Sequence, residues 1–215
     1  MTLVAVVFAA GGLILSPLVD VDDVTITGAG PRVQQIREVS EVERGEAILL
    51  VDTDDVAERI ESLPWVAGAE VARELPGTIS IRVTSRAPVA VVARTDGTFG
   101  VVDPTGTVVS IGTTAPEGLT SLVSDTPDAE PGARIEPLAS ARVAAQLGPL
   151  AGRVARVFVE GGQAALLMAG GPEIRLGRLD RLHEKVRAAD AVLTGLAGAP
   201  VTYVDVSVPS APVTA

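Results

Sequence analysis

Leu63-Pro64-Trp65-Val66, followed by Arg73-Glu74-Leu75-Pro76-Gly77-Thr78-Ile79-Ser80-Ile81-Arg82-Val83 and then Arg86-Ala87-Pro88-Val89-Ala90, is the stretch on which the fold is read. Ile79, Ile81 and Val83 alternate with polar residues, the period of a strand with one buried face. Pro76-Gly77 separates them from a preceding extended run, Val66 to Leu75, so the two runs predict a hairpin. Pro64 ends whatever helix precedes, and Trp65 stands at the helix-to-strand junction as a packing anchor.

Working back from the hairpin, Val56, Ile60 and Leu63 repeat at helical spacing behind Asp52, which can cap the first turn. Ile48 to Val51 is a short apolar run after Gly45. Val33, Ile36 and Val39 to Val42 predict an earlier helix, preceded by the turn Gly28-Ala29-Gly30-Pro31 and a strand carrying Val24 and Ile26. The predicted order is β-α-α-β-β.

Beyond Pro88 the pattern turns strand-rich. Val89 to Ala93, Phe99 to Val102 and Thr107 to Ile111 are separated by Asp96-Gly97 and Asp103-Pro104-Thr105-Gly106, which predicts a meander. Thr113 to Gly132, rich in Pro, Gly and Asp, is expected to be loop, and Ile135 to Leu147 helix. Strands are expected over Val154 to Val159, Ala164 to Met168 and Glu173 to Leu176. Leu179, Leu182, Val186, Ala189, Leu193 and Leu196 form one apolar stripe on a late helix ended by Gly198 and Pro200. A last strand, Val201 to Val208, buries Val204, Val206 and Val208, with Pro209 and Pro212 blocking continuation.

Composition narrows the function. The 215 residues are 47% hydrophobic and 20% charged, with a formal charge of −10, so a phosphate-tracking surface would work against long-range repulsion and nucleic acid is not expected as a partner. Cysteine is absent, which removes thiol nucleophiles, thiolate metal sites and disulfides. Lys185 is the sole lysine. Aromatics are only 2%, too few for stacking platforms.

Thr2 to Val19 carries no charge and as a helix would reach about 27 Å, near the thickness of a hydrocarbon core. Of a spanning anchor, a cleaved signal and a buried core segment, the anchor is the reading adopted, since no small-x-small pattern precedes Asp20. The first basic residue is Arg32, so the positive-inside rule does not orient the span, and a missing basic cytoplasmic tail would account for this.

The hairpin segments quoted above, with Val101-Val102-Asp103-Pro104-Thr105-Gly106, resemble the FtsQ/DivIB family of bacterial division proteins. The likeness lies in motif order and runs over nearly the whole chain. Ser85 departs from the acidic residue the family usually has there. The resemblance implies an α+β protein: a transmembrane anchor (1–19), a POTRA domain (20–86), a mixed β domain with a late helix and terminal edge strand (87–209), and a tail (210–215). It further implies a single-pass protein of the cell membrane whose C-terminal bulk lies outside the cytoplasm at the septum. Such a protein scaffolds the divisome without catalysing a reaction. Its partners are small coiled-coil division proteins of the FtsB/DivIC and FtsL types, together with other membrane divisome proteins. The partner-binding segment maps onto Thr202, Tyr203, Val204, Asp205, Val206, Ser207 and Val208. An edge strand there has unpaired N–H and C=O groups able to take up an added strand.

Other chemistry finds little support in the residues. His183 is the only histidine and has no cysteine to complete a zinc site or triad. Asp52, Asp54 and Asp55 fit a helix start. Asp20, Asp22 and Asp23 read as a solvated cluster, and Gly28-Ala29-Gly30 lacks the lysine of a phosphate loop. Neither a cofactor nor a metal is expected. A POTRA-bearing translocation or chaperone component is the alternative from another class, and an envelope hydrolase with unlinked carboxylates is a third.

Overall fold

The computed structural model describes residues 20–196 and 199–215. The uncharged segment 1–19, read above as a membrane anchor, lies outside the described residues, as does Gly198, expected to end the late helix. Among the described residues no helix is long and apolar enough to cross a membrane. The chain divides into two compact units that meet between Arg86 and Ala87.

In the first unit β1 (Asp23–Thr27) leads through a 3-10 turn, Gly30–Arg32, into α1 (Val33–Ser40). A second 3-10 turn, Ile48–Leu50, precedes α2 (Thr53–Glu61), β2 (Val66–Glu74) and β3 (Thr78–Ser85). The sheet order is β1-β3-β2, with β1 parallel to β3 and β2 antiparallel to it. A parallel pair needs a long crossover, and the two helices supply it. Ile36, Val56 and Ile60 pack beneath Val24, Ile79, Ile81 and Val83, all buried, so the helical and the alternating stripes meet in one core. α1 stops at Ser40, short of the expected Val42, because Glu41 takes a left-handed conformation with φ 52°.

The second unit contains β4 (Ala90–Ala93), β5 (Phe99–Val102), β6 (Val108–Gly112), β7 (Thr120–Leu122), α3 (Leu138–Ala145), β8 (Val154–Glu160), β9 (Gln163–Met168), β10 (Glu173–Arg178), α4 (Leu182–Gly195), β11 (Tyr203–Asp205) and β12 (Val213–Thr214). All of its strands join one nine-stranded sheet in the order β12-β11-β10-β9-β8-β7-β4-β5-β6. The inward residues of this sheet, among them Val92, Leu122, Val157, Leu166, Ile174, Val204 and Val206, share a core with Ala141, Leu147, Leu182, Val186 and Ala189. Helices therefore cover one face. At the β5–β6 turn the Asp103 carboxylate accepts from the N–H groups of Thr105 and Thr107, both at 2.9 Å, which closes the loop expected from its Asp and Gly.

Two expectations are corrected. The segment Thr113 to Gly132 is not all loop: β7 lies within it and pairs parallel with both β4 (Ala90↔Thr120) and β8 (Ser121↔Arg156), joining the two halves of the sheet. Nor is the last strand, expected over Val201 to Val208 but formed by Tyr203–Asp205 alone, the sheet edge. Val204 faces Thr214 and Asp205 faces Val213, so β12 lies outside it. β11 ends at Asp205, ahead of both prolines, and β12 begins directly after Pro212, so the sheet continues past the two prolines expected to block it. Between them the chain reverses, with the Ala211 N–H donating to the Val208 carbonyl at 3.0 Å.

Candidate partner-binding site

The late strand segment alternates as its sequence predicts at Val204 and Val206, but Val208, expected to be buried with them, is 53% exposed. Val204 and Val206 are fully buried, Tyr203 and Asp205 are half-buried on the opposite face, and Thr202, Ser207 and Val208 are exposed. On the β10 side, Glu173 N–H donates to Thr202 O (3.1 Å) and Val206 N–H to Arg175 O (2.9 Å). On the other side, the N–H groups of Thr202 and Tyr203 donate to Ala215 O, and Ala215 N–H donates to Tyr203 O at 3.3 Å. The backbone of Tyr203 is thus paired on the β12 side, and the outermost strand of this end is Val213–Thr214. Sequence reasoning passed over that strand. Its signal, two β-branched residues just after Pro212, is too short to count as a period.

Registers across four strand pairs carry the outward row Phe158–Ala165–Arg175–Asp205–Val213 over the sheet face opposite the helices. Phe158 and Val213 are exposed. The Arg175 guanidinium stacks 4.0 Å from the centre of the Tyr203 ring and its Nε donates to Glu173 Oε1 at 3.0 Å. Beside them an open groove of about 490 Å³ runs over this face, bordered by Gln163, Glu173, Arg175, Asp205 and Ser207. Gly177, at φ 63°, sits where a Cβ would come within 2.9 Å of the Ser207 side chain, so glycine lets β10 and the segment just after β11 approach. The Ser207 hydroxyl, followed by its backbone N–H at 2.8 Å, holds the Asp205 carboxyl below the usual aspartate range. This end of the sheet offers a strand edge flanked by an aromatic-cation pair and fixed charges, the chemistry of strand addition with side-chain selectivity.

The remaining residues singled out from sequence have structural partners or stand apart. Asp52 Oδ1 caps α2, accepting from the N–H of Asp54 (3.1 Å) and Asp55 (3.2 Å). Trp65 is buried, donates to Gln35 Oε1 at 3.0 Å, and carries the Arg32 guanidinium 4.7 Å from its ring centre. Asp23 pairs with Arg44 at 2.9 Å, and His183 is exposed on α4. Among the described residues no group of three His, Asp or Glu converges to hold a metal ion. Lys185 is fully buried, its ammonium donating to Arg178 O (2.7 Å) and Asp180 Oδ1 (3.1 Å).

A two-helix, three-strand unit ahead of a broad sheet defines the class, a POTRA-bearing α+β protein. Residues 21–86 match the family model described as the POTRA domain, FtsQ-type. Over 98% of its length the chain is 32% identical to the cell division protein FtsQ of Mycolicibacterium smegmatis, covering 62% of that protein. It is 30% identical to that of Streptomyces collinus over 82% of this chain and 70% of the relative. With the FtsQ of Corynebacterium glutamicum it shares 37% identity over 45% of this chain and 44% of the relative. The chain belongs to the FtsQ family of bacterial cell division proteins. It spans less than two thirds of the length of the Corynebacterium and Mycolicibacterium relatives.

Proposed function

We propose that this chain is a divisome scaffold, held in the cytoplasmic membrane by residues 1–19, which recruits and regulates septal partners through its extracytoplasmic units. Partners of the small coiled-coil FtsB/DivIC and FtsL types add a strand at the β11–β12 end of the large sheet. The reading is carried by one observation: β12 is a two-residue strand at the sheet end, and among the described residues no strand lies beside its outward backbone groups. Thr202 to Val208 then play two parts. Val204 and Val206 hold the strand on the core, while Tyr203, Asp205, Ser207 and Val208 present side chains beside the incoming strand. No reaction is required for this role.

The test is to tag the full-length protein, extract it from host membranes in mild detergent and identify the membrane proteins that accompany it. Recovery of a small coiled-coil division protein is expected, together with concentration of the tagged chain at the division septum. Recovery with no such protein would overturn the reading.

A further inference from the structure

Three large apolar side chains of the first unit stand in solvent: Leu49 at 47% exposure, Leu50 at 68% and Leu75 at 66%. Two come from the Ile48–Leu50 turn and one from the β2–β3 hairpin, yet the backbone brings both segments to one place. Asp20 forms an antiparallel bridge with Ala47, and Val21 N–H donates to Glu46 O at 2.7 Å. Asp22 N–H donates to Gly77 O at 2.7 Å, and a Cβ on Gly77 would lie 2.8 Å from Asp20 O. Arg73 ties the two segments together, its guanidinium donating twice to Val51 O. At most about 3.6 Å per residue, Leu49 and Leu75 each lie within about 7 Å, measured along the backbone, of a residue in contact with Asp20.

Asp20 is also the residue that follows the uncharged stretch Thr2 to Val19. The exposed leucines therefore flank the point at which that stretch leaves the folded unit. We infer that the first unit rests on the membrane surface, with Leu49, Leu50 and Leu75 inserted into the interfacial layer of the bilayer. The inference depends on residues 1–19 being membrane-embedded.

The neighbouring charges define the kind of contact. Asp22, Glu46, Asp52 and Glu74 are exposed close by and outnumber the exposed Arg44 and Arg73, of which Arg44 is paired with Asp23, so the local balance is acidic and attraction to anionic headgroups adds little. What remains is apolar burial at the headgroup–acyl boundary, which an uncharged lipid satisfies. A unit seated in this way has its tilt set at the membrane end, while the end of β3 at Thr84 points away by about 20 Å, the length of six strand residues.

Because the chain has no cysteine, single labels report cleanly. Full-length Val6→Cys, Leu50→Cys, Leu75→Cys and Thr84→Cys, each carrying an environment-sensitive fluorophore, would be reconstituted in phosphatidylcholine vesicles with or without shallow nitroxide-labelled lipid. Blue-shifted emission and loss of intensity to the nitroxide lipid are expected at positions 6, 50 and 75, and neither at 84. Quenching at 6 but not at 50 and 75 would overturn the contact while leaving the anchor standing. A blue shift at 50 and 75 without lipid quenching would assign the leucines to a protein surface instead. Absence of quenching at 6 would overturn the anchor and the contact together.

Discussion

Arg175 and Tyr203 lie diagonally across β10 and β11, with the guanidinium 4.0 Å from the ring centre, although the register sets Tyr203 opposite Glu173 and Arg175 opposite Asp205. The pair joins the strand that holds the sheet to the strand next to its edge. A double-mutant cycle with Arg175→Gln and Tyr203→Leu is expected to show a coupling of about 0.5–1 kcal/mol in urea unfolding, the range for a half-exposed cation–π contact. Tyr203→Ala should lower partner affinity while leaving the circular dichroism of the isolated protein unchanged.

Thr214 offers a cleaner probe of the edge. Ala215 N–H points inward to Tyr203 O, and in an antiparallel ladder adjacent N–H groups alternate, so Thr214 N–H points outward. Thr214→Pro removes an outward donor and spares the inner ladder. Partner affinity should fall by about tenfold, the worth of a lost ladder bond, with the melting temperature nearly unchanged. Unchanged affinity in a binding titration would rule out strand addition at β12.

Acid should weaken three carboxylate contacts of the second unit through the same causes. Asp205 is held low by Ser207, Asp96 by Thr98 and Asp128 by Thr95, in each case through the side-chain hydroxyl first and the backbone N–H second. Each folded pKa lies below its unfolded value. The associated stability is therefore fully present above the unfolded value and is lost as pH falls through the folded one, below about pH 4. Ser207→Ala should raise the Asp205 carboxyl pKa toward its ordinary value in an NMR titration, and leave Asp96 and Asp128 where they are.

Lys185 stabilises the β10–α4 turn from inside. Lys185→Met keeps the apolar stem but leaves the Arg178 carbonyl without its donor, and about 1–3 kcal/mol should be lost in chemical denaturation. Lys185→Ala should cost more, because a cavity adds to the lost bond.

At the start of α2, Asp52→Ala removes the acceptor for two N–H groups, and a loss of about 0.5–2 kcal/mol is expected by thermal unfolding. Asp52→Ser should restore most of it, since a hydroxyl oxygen serves the same donors.

The sequence by itself determined those parts of this protein whose pattern is local and repeated. Alternation in Thr78 to Val83 and the break at Pro76-Gly77 are enough for the β2–β3 hairpin, because a strand with one buried face must place apolar residues at every second position. Leu182, Val186 and Ala189 likewise mark the buried stripe of α4, although the helix begins at Leu182 and not Leu179, since Arg181 takes φ 49°. Asp52 at the start of α2 and the buried pair Val204 and Val206 were readable because their signals are equally local. Only the tertiary structure decided which strand is the edge. β7 and β12 have three and two residues, below any period, and exist because β4 and β8 in one case and β11 in the other leave ladder groups to be paired. The burial of Lys185 and the gathering of Leu49, Leu50 and Leu75 around Asp20 are decided in the same way. They join residues distant in sequence, and distance along the chain carries no record of distance in space.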